Sequence, residues 1–138
     1  PLFPSIESRT MSSSNHMLKV KRGCAGLGLF AAHDIPRGEI ITEYRGPFLT
    51  EKEADAKGGK YLFAIPDTRW TIDGSCRSNI ARYINHSCSP NCETFADGNR
   101  IFIEAKRDIK TNEELTYDYG KEYMEDMIQA GECRCGHH

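Results

Sequence analysis

Residues 81–93, ARYINHSCSPNCE, place Arg82, Asn85, His86, Cys88, Asn91 and Cys92 within thirteen positions. Carboxamides, an imidazole and thiols this close can bind a polar ligand, ligate a metal or form disulfides. The bland alternatives are a satisfied buried histidine and turn-forming asparagines. A second group is EELTYDYG, where Tyr117 and Tyr119 stand at i, i+2 and share one face of a strand. Two such rings either pack together or present phenolic hydroxyls to a ligand. A third is Gly26-x-Gly28 in GCAGLGLF, where a missing Cβ lets backbone approach a ligand closely. A dinucleotide loop would need three spaced glycines leading from a strand into a helix. Here the glycines run into the strand-like LFAA, so that reading fails and a structural turn remains the plain alternative.

The six cysteines are Cys24, Cys76, Cys88, Cys92, Cys133 and Cys135. The spacings Cys88-x3-Cys92 and Cys133-x-Cys135 fit zinc ligation better than disulfides. No secretory pattern is expected from PLFPSIESRTMSSSNHM, and a chain of this size does not need staples. Cys24 and Cys76 read as ordinary small hydrophobes.

The elements that must hold these groups are short. Strands are expected over Leu18–Val20, Glu39–Tyr44, 60–65 and 69–73, the last two joined by a Pro66-Asp67 turn. Thr50, followed by Glu53 at capping-box spacing and closed by Gly58 and Gly59, predicts a short helix. SNIARYIN predicts a helical turn before a Cys- and Pro-rich loop. IFIEAKRDI and NEELTYDY read as strands, and KEYMEDMIQAG as a C-terminal helix ending at Gly131. No internal repeat or linker is evident, and the whole is mainly β.

Composition adds bounds. At 138 residues the chain is one domain's worth, with 38% hydrophobic and 28% charged residues. Eighteen basic against twenty acidic residues give a net charge of -2, which argues against a broad nucleic-acid face. No run is long and apolar enough for a membrane span. The acidic EYMEDMIQAGE segment would favour a cationic partner.

Taken in order, GLGLFAAHDIPRGEIITEY, RYINHSCSPNC, EELTYDYG and CRC resemble the SET-domain family of protein lysine methyltransferases. The resemblance covers 18–120, preceded by a polar lead-in over 1–17 and followed over 121–138 by a helix and a partial post-SET segment. It implies a β-clip-like fold of several small sheets with a knot-like threading and few short helices. It also implies S-adenosylmethionine as methyl donor and a lysine-containing protein, first of all a histone tail, as substrate. Gly26, Leu27 and Gly28 would contact the cofactor through backbone, Asn85 and His86 would bind it, and Arg82 would shape the same site. Tyr119 matches the family's catalytic tyrosine. Tyr117 matches the position that limits the degree of methylation, which favours mono- or dimethylation, and Tyr61 in KYLF would line the lysine channel. Cys88, Cys133 and Cys135 match three zinc ligands, whereas the family's fourth cysteine would fall beyond the 138 residues. His137, His138 and Cys92 remain to complete the set, none at the family's spacing. The implied location is the nucleus and chromatin in a eukaryote, or the cytoplasm or a host cell for a bacterial protein. The competing readings are a SET-like module that binds without turnover and a methyltransferase of a non-histone protein. Oligomeric state and target lysine are not encoded in any motif.

Overall fold

The structure is a computed structural model and describes residues 18–23, 26–59 and 61–120. The lead-in, the C-terminal helix and the Cys133-x-Cys135 pair expected above lie outside those residues. The described chain forms ten short strands, one α-helix and one 3-10 turn, arranged in four small sheets. It divides into two compact units.

The described part of the first unit is 39–59, 61–82 and Thr94–Glu104. One of its sheets has the order β3 (Ile40–Tyr44), β9 (Arg100–Ala105), β8 (Cys92–Asp97). Strand β9 sits in the centre, which is why Ile101, Phe102 and Ile103 form a continuous apolar run and are all buried. In β3 the pairing slips between Ile40 and Thr42. This bulge lets both Ile40 and Ile41 point into the core although they are neighbours in sequence. The other sheet has the order β4 (Phe48–Leu49), β6 (Thr71–Asp73), β5 (Leu62–Ala64). Helix α1 (Glu51–Lys57) begins with the expected capping box: Thr50 Oγ1 accepts from the Glu53 N–H at 3.2 Å, and Glu53 Oε1 accepts from the Thr50 N–H at 2.9 Å. The 3-10 turn spans Ile80–Tyr83, where a helical turn is expected.

The described part of the second unit is 18–23, 26–38, Tyr83–Glu93 and 105–120. It contains the antiparallel hairpin β1 (Leu18–Gly23) and β2 (Gly26–Ala31), and the parallel pair β7 (Asn85–His86) and β10 (Thr116–Tyr117). Gly26 and Gly28, read as a turn, therefore lie in a strand.

A repeat is present after all. Ile35 and Ile109 exchange two backbone hydrogen bonds of 2.8 Å. On one side Asp34 Oδ1 accepts from the Thr111 N–H, and on the other Asp108 Oδ1 accepts from the Arg37 N–H, each at 2.8 Å. The Gly38 N–H donates to Ala105 O at 2.8 Å and the Asn112 N–H to Ala31 O at 2.7 Å. Gly38 and Asn112 occupy the left-handed region at φ 87° and 71°. Each bond thus has a counterpart under the exchange of 31–38 with 105–112, and both segments begin Ala-x-x-Asp-Ile. Only those three identities mark the likeness within the repeated stretch, too few to register as a repeat.

Candidate functional site

The parallel pair β7–β10 organises the second unit. Its register sets Asn85 opposite Thr116 and His86 opposite Tyr117. Two-residue strands have little stability of their own, so the pairing is held from outside. Asn91 does this: its Nδ2 donates to Glu113 Oε2 at 3.0 Å and to Glu114 O at 2.7 Å, while its Oδ1 accepts from the Thr116 N–H at 2.9 Å. The side chain is only 3% exposed, so every polar atom it carries is satisfied within the protein.

Asn85 Nδ2 donates to Leu27 O at 3.0 Å and to Glu114 Oε2 at 2.8 Å. This connects the Gly26–Leu27–Gly28 segment to the NHSC motif across the β1–β2 hairpin. Gly28 does not need its conformational freedom here; it needs its missing side chain. A Cβ at that position would lie 2.4 Å from Glu114 Oε2. Sequence reading passes over Glu114, and the signal that could have found it is a glycine in a strand interior, which marks a close approach.

His86 is buried and bridges two other candidates. Its Nδ1 accepts from the Tyr119 N–H at 3.0 Å, and its Nε2 lies 3.1 Å from Cys88 Sγ. An Nδ1 that accepts an N–H carries no proton in the neutral ring, so Nε2 carries it and donates towards sulfur. The Tyr119 hydroxyl donates to Ile84 O. The rings of Tyr117 and Tyr119 meet at 4.9 Å between centroids, and those of His86 and Tyr119 at 5.3 Å. The second unit thus brings together Gly26, Leu27, Gly28, Asn85, His86, Cys88, Tyr117 and Tyr119.

Tyr61 and Arg82 belong to the first unit. There the Arg82 guanidinium covers the Tyr61 ring at 4.4 Å and donates through Nη1 to Ser75 O at 2.6 Å. Cys88 is exposed, and Cys133 and Cys135 lie outside the described residues. Cys92 does not fit a metal site: it is fully buried, its thiol faces Asn91 Oδ1 at 3.3 Å, and burial pushes its pKa up to about 12.

Glu113, which anchors Asn91, has its pKa lowered to about 2. Burial works to raise it, but the hydrogen bonds from Arg107, Asn91 and the Lys110 N–H outweigh that. A folded-state pKa below the usual 4.5 stabilises the protein above pH 4.5, and the contribution disappears as pH falls through about 2. Denaturant titrations at stepped pH should therefore show stability declining across that window, and Glu113→Gln should flatten the decline. An unchanged slope in the variant would contradict the assignment.

A mainly β scaffold of small sheets, with a carboxamide, an imidazole and one phenol on a parallel strand pair and a second phenol two residues past it, defines the class that the motif string suggested. Comparison with known families matches residues 26–120 to the SET domain. The chain belongs to the SET domain family. It is 43% identical over 122 residues to an H3 lysine-4 specific histone-lysine N-methyltransferase of Emericella nidulans, covering 79% of this chain and 10% of that protein. It is 40% identical over 134 residues to the histone-lysine N-methyltransferase trr of Drosophila melanogaster, covering 88% of this chain and 5% of that protein. It is 40% identical over 105 residues to the histone-lysine N-methyltransferase set1 of Dictyostelium discoideum, covering 67% and 7%. The chain thus spans a tenth or less of the length of these eukaryotic relatives.

Proposed function

We propose that this chain is an S-adenosylmethionine-dependent protein-lysine N-methyltransferase that acts on a histone tail, with lysine 4 of histone H3 the first site to assay and mono- or dimethyllysine the main product. The observation that supports it most is the β7–β10 pair, which sets Asn85, His86, Tyr117 and Tyr119 together in a SET-family chain. The relatives named above are histone methyltransferases, which supports the substrate class and a place at chromatin.

The donor set fits the cofactor: Asn85 has both amide hydrogens engaged, which leaves its oxygen for a ligand N–H, and Leu27 is half-exposed beside it. S-adenosylmethionine, when bound, supplies a methyl group on a sulfonium, whose carbon–sulfur bond breaks as the lysine nitrogen takes the methyl. The residues of the chain must deliver that nitrogen with its lone pair free. Lysine has a pKa of ~10.4, so neutralising it at pH 7 costs about 4.6 kcal/mol. Desolvation in an apolar channel disfavours the ammonium and reduces that cost. The Tyr119 proton is committed to Ile84 O. Its oxygen is therefore an acceptor that can hold an amine N–H and aim the lone pair, and the surplus proton leaves to solvent. Cys88, with Cys133 and Cys135, would hold zinc and with it the C-terminal segment.

The test is intact-mass analysis of core histones after incubation with the protein, S-adenosylmethionine and zinc. Mass increments of one or two methyl groups on histone H3 are expected; cofactor binding without transfer to any histone would overturn the histone reading. Tyr117→Phe removes the hydroxyl of a ring that packs against Tyr119 and should shift the product towards trimethyllysine, read by tandem mass spectrometry. A product distribution equal to the wild type would remove Tyr117 from that role.

A further inference from the structure

We infer that Glu114 is a positioning residue whose carboxylate locks the Asn85 carboxamide, so that its oxygen and not its NH2 group faces the ligand. The inference rests on the S-adenosylmethionine reading above.

An amide nitrogen has two hydrogens and its oxygen has none. Both partners of Asn85 Nδ2, the Leu27 carbonyl and the Glu114 carboxylate, are acceptors without a hydrogen to give. A flipped amide would set oxygen against two oxygens, so the orientation is fixed. Among the described residues no donor reaches Asn85 Oδ1. What this side chain offers a ligand is an acceptor, and it selects an N–H donor.

The carboxylate has a prepared place. A Cβ at Gly28 would lie 2.4 Å from Glu114 Oε2, and one at Gly23 3.3 Å from Oε1, so two glycines leave the space that Glu114 fills. Its backbone is held as well: Glu114 bridges Phe30, its carbonyl accepts from Asn91 Nδ2 at 2.7 Å, and the next N–H, of Leu115, donates to Leu29 O at 2.8 Å. A side chain anchored at both ends with its head against a carboxamide determines how that carboxamide points. The cofactor carries two N–H donors that could meet Oδ1, the α-ammonium of its amino-acid part and the N6 amino group of its adenine.

The experiment is calorimetric binding of S-adenosylhomocysteine, of its analogue lacking the α-amino group, and of its analogue with hypoxanthine in place of adenine. The wild type should prefer the parent compound over one of the two analogues by tenfold or more, on the order of a hydrogen bond to a charged or fixed partner. Glu114→Ala should reduce that preference to about threefold or less and leave the ratio for the other analogue unchanged. Glu114→Gln, which keeps an acceptor oxygen at the same reach, should restore most of it. The analogue whose ratio collapses identifies which donor Asn85 holds. Glu114→Met keeps the volume without the acceptor and decides the matter if the alanine variant does not fold. An equal loss of affinity for all three ligands would make Glu114 a structural residue, and so would failure of both variants to fold. A wild type that binds none of the ligands would overturn the cofactor reading and this inference with it.

Discussion

Tyr119→Phe should reduce methyl transfer by about a hundredfold or more while leaving S-adenosylhomocysteine affinity within a few-fold of wild type. The magnitude is that of removing one preorganised group at a reacting centre. The split between turnover and binding follows from the geometry. The Tyr119 N–H that meets His86 Nδ1 belongs to the backbone, and the ring contacts with His86 and Tyr117 are carbon surface, so phenylalanine keeps all of them. What it loses is the hydroxyl, and with it both the bond to Ile84 O and the acceptor that holds the amine. The Ile84 carbonyl is left needing a partner, so a modest loss of stability is expected as well. Single-turnover rates at saturating peptide and cofactor separate the two effects. A variant that turns over at the wild-type rate would remove Tyr119 from the chemistry, and a variant that no longer binds cofactor would make its role architectural.

Asn91→Leu should destabilise the second unit by about 3 kcal/mol or more, on the order of 10 °C in Tm. Leucine is close in volume, so packing is not the issue. The loss is that the part-buried Thr116 N–H, the Glu114 carbonyl and the Glu113 carboxylate each forfeit a partner at once. Leaving a buried group unsatisfied costs about 1–3 kcal/mol per group. Two of the three partners lie on the segment that leads into β10, so the β7–β10 pair should loosen before the rest of the unit. Hydrogen exchange at the Ser87 amide, which donates to Tyr117 O, reports that directly. Thermal melting of Asn91→Leu within a degree or two of wild type would show the network to be dispensable.

The local parts of this fold are legible in the sequence, and the paired parts much less so. Helix α1 announces itself because the capping box is a contact between residues three apart. The β5–β6 hairpin does so through Pro66-Asp67, where Asp67 adopts φ 61°. Strand β8 is not among the strands expected from the sequence, although Asp97-Gly98 is a hairpin signal and Gly98 stands at φ 63°. Its alternation is blurred by Cys92, which is buried for a reason outside the strand, its bond to Asn91. Strands β7 and β10 cannot be seen locally at all, since two residues carry no period and the partner is 31 positions away. The candidate residues themselves were found through the motif string and the resemblance it carries. Glu114 was passed over because its importance lies in what it meets on the hairpin, and a side chain's partner across the fold is not written beside it.

The doubled arrangement around Ile35 and Ile109 bears on how the chain is made. The two segments present the same groups to each other, a carboxylate and two carbonyls to receive and three N–H groups to give. Either one is therefore complementary to a copy of itself as well as to its mate. Residues 31–38 leave the ribosome 74 positions ahead of 105–112, an interval of roughly 4–15 s at ~5–20 residues per second. For that time the early half has no mate in its own chain, and the nearest match is the same half of a neighbouring nascent chain. Crowded synthesis on one message should then favour exchange between copies, and dilution should favour the closed monomer.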